Sequence, residues 1–508
     1  MTKEHDPHYQ DVLKISRIAA HLEAIQSLLG WDQETYMPPS AIEFRSQQHE
    51  IIASQIHKHQ TSHDFQQALS NLIDLATGQI KIPSLSNAGK AAAREWRRDY
   101  LKNTKLPLSF VEKFAKATSI SQHVWMQAKQ HNDFQSFAPH LKNCIELCKE
   151  KANYLGYEEH PYDALLDLYE PGMKTSIISP IFSKLKIALK ELIKEICAKK
   201  NPSYPFLLRE FPAVQQLEFS KNILQAFGFS NEYSRLDQSA HPFCSALNPL
   251  DIRMTTRIVN GYPLSNIFSV IHEAGHGIYE AQLSIHEYGS PLGSAISLGI
   301  HESQSRFWET FIGKSHAFWR HFFPILNKKF PQSLSDVDLN NFYCAINEVR
   351  PSLIRVEADE VTYCLHVILR FEIEIGLVEG SIQVEDLPEV WNEKMIDLLG
   401  ISPLSDAVGC LQDIHWSMGA IGYFPTYALG NIYAAQIFQA FEEHHSNWEE
   451  RVGMGEFLFI REWLQTHLHQ YGREFTPCEI IKKITDNHLD STPYIKYLRD
   501  KFTPIYNL

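Results

Sequence analysis

Residues Leu264–Ser284 read LSNIFSVIHEAGHGIYEAQLS, the pattern of a helix that is apolar on one side and carries chemistry on the other. Ile267, Val270, Ile271, Ala274 and Ile278 collect on one face of a 3.6-residue period. His272 and His276 are four residues apart, so their rings leave the helix within about 40° of each other. Two imidazoles so placed can bind one cation. Glu273 points to the side, where it can reach a water held by that cation rather than the cation itself. Zinc lowers the pKa of such a water to roughly 7, and the carboxylate takes its proton as hydroxide attacks a carbonyl. Gly275 and Gly277 each weaken a helix by about 1 kcal/mol relative to alanine. Either something must approach the backbone closely there, or both are packing contacts.

Composition alone gives on the order of 0.07 chance occurrences of HExxH in a chain of this length, so the pattern needs context. A catalytic zinc takes three protein ligands and leaves one position open. Glu280 cannot be the third, because it lies eight residues from His272, about 12 Å along the helix axis. A second helix must supply it. Residues 301–306, His-Glu-Ser-Gln-Ser-Arg, offer Glu302, which lies off the stripe of Ile296, Ile300, Phe307 and Phe311. Spacing leaves His301, Glu309 and a merely solvent-facing Glu302 open as alternatives.

Working outward, helical periodicity recurs over 11–30, 108–131, 139–155, 178–200, 214–227, 294–313, 356–380 and 428–447. In the first of these, Val12, Ile15, Ile18, Ala19, Leu22, Ile25 and Leu29 form one stripe, which Gly30 and Pro38–Pro39 bound. Ile252–Val259 is the best strand, followed by the turn dipeptide Asn260-Gly261. Breaks near 81–90 and 201–213 are inter-helix loops, and no repeat has a fixed period. The expectation is one large, mostly α body over residues 1–508 with a small sheet in its middle, and a metal-site region at about 240–430.

The 508 residues carry a net charge of -13 and 44% hydrophobic side chains. That acidic balance disfavours a nucleic-acid binder, which needs a clustered basic surface. The cysteines at 144, 148, 197, 244, 344, 364, 410 and 478 are scattered and form no CxxC pair, so no disulfide framework or zinc clip is expected. A polar start, MTKEHDPHYQDVLK, and the lack of any apolar run near 18 residues argue against a signal peptide or a membrane span. The expected compartment is cytoplasmic and reducing.

Further residues make the chain similar to the M32 metallocarboxypeptidases of the carboxypeptidase Taq type. They begin with Trp31-Asp32-Gln33-Glu34-Thr35 and Tyr169-Glu170-Pro171-Gly172-Met173. His241-Pro242-Phe243 resembles the family's HPF signature, and Asp251, Arg253 and Thr255 its DxRxT. His301-Glu302-Ser303-Gln304 follows HEAGH as HES/GQ. Ile354-Arg355 with Ala358-Asp359 matches IRxxAD, and Gly409–Trp416 matches GxxQDxHW before Gly422–Tyr427. The resemblance implies His272, His276 and Glu302 as metal ligands and Glu273 as general base. It also implies a neurolysin-like helical body with a deep groove, a small sheet beside the site and a homodimer. It implies one divalent metal per chain, zinc and in some members cobalt, and peptide substrates with a free C-terminus that lose single residues with broad specificity. Neither nucleic acid nor membrane is an expected partner.

A free C-terminal carboxylate is well held by a guanidinium through two parallel hydrogen bonds. Arg355, then Arg253, are the candidates, although Asp359 or Asp251 could tie either into a structural ion pair. His241, His415, Tyr423 and Tyr427 could donate to an oxyanion or to substrate backbone. Asp413 could orient a ligand imidazole. Two other readings are an endo-acting helical zinc oligopeptidase and a catalytically silent, metal-stabilised binding protein. The intact Glu273 argues against the latter, since a structural zinc site needs four ligands and no base.

Overall fold

Asp6 caps the first helix, α1 (Pro7–Thr35), its side chain accepting from the amides of His8 and Tyr9. The computed structural model to which this helix belongs describes residues 4–199, 203–259 and 263–508. Gly30 does not end α1, as its sequence suggested. It sits inside the helix with nothing within 4 Å of the place a Cβ would occupy, a position where glycine costs only about 1 kcal/mol. The stop comes just before Pro38, where the preceding residue is pushed out of the helical region. The expected stripe is also only half buried. Val12 and Ala19 are covered, but Ile18 and Ile25 are 45% and 46% exposed.

Further helices at Leu108–His131, Phe134–Leu155, Thr175–Cys197 and Ala213–Ala226 follow the periodic stretches closely. A three-stranded sheet comes next: β1 (Ser234–Gln238), β2 (Cys244–Asn248) and β3 (Asp251–Thr256), in the order β1-β3-β2. β1 runs parallel to β3, with Arg235 opposite Arg253, and β2 runs antiparallel to it. Trp31 of α1 lies between those two guanidiniums, 4.7 and 4.6 Å from its ring. Two cation–π contacts thus tie α1 to the sheet. The expected Asn260-Gly261 turn lies outside the described residues.

Then come α2 (Pro263–Ala281) and α3 (Leu298–Arg306), the latter continuing as a π-helical turn over Phe307–Gly313. The periodic stretch 356–380 is helical only from Tyr363, as α4 (Tyr363–Glu379). Ahead of it Arg355–Glu357 makes a 3-10 turn, and the Asp359 carboxylate captures the amides of Val361 and Thr362. A short acidic side chain competing for backbone donors in this way favours a turn over a helix. α5 (Pro425–His444) follows, with 15 of its 20 residues buried.

One apolar core runs from Ala128 to Tyr506. A smaller one gathers Tyr9, Val12, Leu69, Trp96 and Leu292 under the N-terminal helices. The expectation of a mostly α body with a small sheet holds. Among the described residues no helix is long and apolar enough to cross a membrane.

Candidate active site

The apolar stripe of α2 is fully sunk in the larger core: Ile267, Val270, Ile271, Ala274 and Ile278 are all 1% exposed or less. The opposite side of the helix, with His272 and His276, therefore faces α3. The two helices touch through backbone at Gly275, where a Cβ would lie 2.5 Å from the Gln304 carbonyl oxygen and 2.6 Å from Ser305 Cα. No side chain fits there. On the far side of α3, Gly430 of α5 does the same, since a Cβ there would lie 2.8 Å from Glu302 Cβ. α3 is thus pinched between two helices at the level of Glu302. Its N-terminus is fixed as well. Buried Glu170 accepts from Ser297 Oγ (3.0 Å), the Gly299 amide (2.9 Å) and Tyr433 Oη (2.9 Å), a favourable place for an acidic group.

This packing brings His272, His276 and Glu302 together, with one ligand atom from each within 4.8 Å of the others. Glu302 Oε2 lies 3.6 Å from Nε2 of both histidines. Its other oxygen accepts from Arg306 Nε at 2.7 Å. Of the alternatives the sequence left open, Glu309 accepts from the far nitrogen of His272, Nδ1, at 2.9 Å. The ring of His301 stacks on His276 at 4.4 Å and bonds Glu280 at 2.8 Å. Burial, with His301 and His272 nearby, pushes His276 well down and keeps it neutral. Burial also raises the Glu273 carboxyl, to about 7, with His272 opposing and Glu302 reinforcing the shift. Glu280 has a second face on a cavity of about 400 Å³ between α1 and the chain after α2, walled also by Ala19, Glu23, Trp96 and Tyr288.

Arg355 is buried in a separate cluster. Its Nε and Nη2 donate to Asp413 Oδ1 (3.1 and 2.9 Å), and its Nη1 approaches Tyr363 Oη at 3.3 Å. The guanidinium lies 4.8 Å from the Tyr427 ring. Asp413 therefore pairs with Arg355 and not with a ligand imidazole, and Asp359 bonds backbone amides instead. Arg370 Nε, at 2.7 Å, takes the other oxygen of Asp413. Burial would raise Asp413, but the two arginines hold it well below the usual carboxylate range. His415 shares a 3.3 Å contact with Tyr427 Oη, and burial pushes it down to about 4. Tyr423 packs on Tyr427 with ring centroids 5.4 Å apart. Arg253 is held bidentate by Asp251 at 2.9 and 3.0 Å. His241 lies exposed between β1 and β2, where its carbonyl accepts from Ser239 Oγ at 2.6 Å.

The sequence reading missed Arg306, Arg370 and Tyr363. Arg370 had a signal: it is a cation directly after the apolar run Val367-Ile368-Leu369, where a charge stays only if paired. Arg306 had one too, four residues after Glu302.

A mostly helical body that sets an HExxH pair and a carboxylate from a second helix around one point defines a metallopeptidase. The chain belongs to the Carboxypeptidase Taq (M32) metallopeptidase family, whose model matches residues 11–502. It is 39% identical to thermostable carboxypeptidase 1 of Thermus thermophilus over 98% of this chain and 99% of that one. It is equally 39% identical to carboxypeptidase 1 of Bacillus subtilis over 99% of each chain. The crystal structure of the M32 carboxypeptidase from Deinococcus radiodurans superposes with a TM-score of 0.95 at 34% identity, covering 99% of this chain and 100% of that one. The protein is a metal-dependent carboxypeptidase.

Proposed function

We propose that His272, His276 and Glu302 hold one divalent ion, zinc first and cobalt as the alternative, with Glu273 as general base and Arg355 as the clamp on the peptide's C-terminal carboxylate. The observation that carries this reading is the pair of 3.6 Å separations from Glu302 Oε2 to the two imidazoles. Two donors each about 2.1 Å from one ion at the tetrahedral angle lie about 3.4 Å apart. The side chains fit the ion with little movement.

When bound, the ion supplies Lewis acidity, polarising the scissile carbonyl and making water acidic enough to attack near neutral pH. Glu273 takes the proton of the attacking water and delivers it to the leaving nitrogen. Burial raises this carboxyl to about 7, and a cation held beside it would favour the ionised form that accepts a proton. Asp413 is shared by two guanidiniums, so the Arg355–Asp413–Arg370 cluster carries one unmatched positive charge. A substrate carboxylate neutralises it, and Arg355 meets that carboxylate with a planar donor set. Arg253 is the weaker candidate, because Asp251 pairs with it one to one and leaves no unmatched charge. Tyr427, Tyr423 and His415 stand beside Arg355 as donors to the oxyanion, and His241 serves substrate backbone from the β1–β2 loop.

The whole chain acts as one peptidase domain, as a homodimer and in the cytoplasm. Eight unpaired cysteines support a reducing compartment, and sedimentation checks the dimer. The decisive experiment is a time course on a free-acid peptide read by mass spectrometry, with and without chelator. The expected product is a ladder of single C-terminal losses that stops on chelation and resumes with zinc or cobalt. Internal fragments, formed equally from amidated peptides, would hand the activity to an endo-acting oligopeptidase.

A further inference from the structure

We propose that Glu309 is a positioning residue for the metal centre, one that sets the tautomer and angle of His272 without touching the ion. The inference rests on His272 being a ligand. An imidazole that binds a cation through Nε2 must keep its proton on Nδ1, and an acceptor aligned with that N–H fixes both the proton and the ring plane. Here the acceptor is Glu309 Oε2, 2.9 Å from His272 Nδ1, while Nε2 of the same ring looks toward Glu302.

The backbone is shaped for this. Glu309 follows Glu302 by seven residues, nearly two α-helical turns and about 10 Å along the axis. The imidazole spans from one carboxylate to the other. Glu309 lies in the π-helical turn Phe307–Gly313, whose wider winding changes the direction in which its side chain leaves the helix. Such turns are rare and gather at functional sites.

Two cations stand against the acceptor. Arg306 Nη1 donates to Glu309 Oε2 at 3.2 Å and Arg306 Nε to Glu302 Oε1 at 2.7 Å. One guanidinium therefore braces both carboxylates and leaves Glu302 a single oxygen for the ion. Lys314 Nζ stands 3.8 Å from Glu309 Oε1.

His276 has no equivalent. Among the described residues its Nδ1 meets no carboxylate; the backbone of His301 is the polar group against the ring, which stacks on the His301 imidazole. The two histidines are thus held by different means, and only His272 depends on a charged acceptor.

The test is zinc affinity, measured by competition with a chromophoric chelator, in wild type, Glu309→Gln, Glu309→Ala and His272→Ala. Visible spectra of the cobalt-saturated proteins report ligand geometry independently of turnover. Glu309→Ala is expected to weaken zinc 10- to 100-fold and to alter the cobalt spectrum. Glu309→Gln should lose less, because its amide oxygen still accepts from Nδ1. It also keeps the proposal testable if the alanine variant does not fold. Unchanged zinc affinity and cobalt spectra in the Glu309 variants, with His272→Ala impaired, would overturn the positioning role and leave the ligand assignment standing. Loss in Glu309→Ala as complete as in His272→Ala would also overturn it, by making Glu309 a ligand. If His272→Ala itself binds zinc normally, the ligand assignment fails first.

Discussion

Substituting Gly430 by alanine tests whether the pinch on α3 sets the metal centre. The added methyl would lie 2.8 Å from Glu302 Cβ and closer still to its Cγ. Carbon atoms rest comfortably at about 3.5 Å, so the Glu302 side chain or α5 must give by at least about 0.7 Å. A metal site tolerates ligand displacements of about 0.2 Å, roughly a third of that. Overpacking of this kind costs about 1–3 kcal/mol of stability, and a misplacement approaching 1 Å costs on the order of 100-fold in rate. The expected phenotype of Gly430→Ala is therefore a folded protein with weakened zinc retention and kcat/KM reduced by about two orders of magnitude. Gly30→Ala is the matched control. Its methyl meets open space within α1, so it should stabilise the helix by up to about 1 kcal/mol and leave activity unchanged. Calorimetry, chelator competition and a chromogenic peptide assay cover all three readouts. Wild-type zinc affinity and turnover in Gly430→Ala would refute the reasoning, because the contact would then have been absorbed without moving Glu302.

Glu273→Gln should retain its metal and lose about 10²–10⁴-fold in turnover; metal loss on this change would make Glu273 a ligand. Wild type should favour free-acid over amidated peptides by at least tenfold, about 1.4 kcal/mol. Arg355→Ala should shrink that preference by slowing the free acid, and Arg355→Lys should restore part of it. Discrimination intact in Arg355→Ala would move the clamp to Arg253. Burial raises Glu170 and Glu374 from 4.5 to about 7, against the donors around each. Between those values the unfolded chain is ionised while the folded carboxyls keep their protons, so stability falls as pH climbs from about 4.5 to 7 and then levels. Each group contributes up to about 3 kcal/mol to that fall, and Glu374→Gln should flatten the slope of melting temperature against pH. An unaltered slope would show that Glu374 does not titrate there.

Features that live on a single helix were legible in the sequence. The stripe from Ile267 to Ile278 announced which face of α2 is buried, and the four-residue histidine spacing announced that the two imidazoles lie together. Features that depend on how two distant segments meet were not. Glu302 could not be separated from Glu309 by spacing, because which carboxylate comes near both imidazoles is decided by how α3 packs at Gly275 and Gly430. Nothing local to Gly430 says that Glu302, 128 positions earlier, will lie against it. Ile18 and Ile25 misled for the complementary reason: helical period marks an apolar face, and only tertiary packing decides whether that face is covered. Asp413 was given the wrong partner, since its motif gives no sign that Arg355 and Arg370 converge on it from a turn and a helix.

The backbone contact at Gly275 has a consequence for how the protein lives without its ion. A domain whose cross-links are its metal bonds unravels when they are cut. Here the walls around His272, His276 and Glu302 are built by helix-on-helix contact and apolar burial, neither of which is a metal bond. Emptying the site should therefore leave a folded protein, with a melting temperature lowered only by the mass-action gain of metal binding, RT ln(1 + [metal]/Kd). Such a protein can lose its metal, wait, and be reloaded with a different one. Its activity then follows the local supply of divalent ions without being spent in refolding.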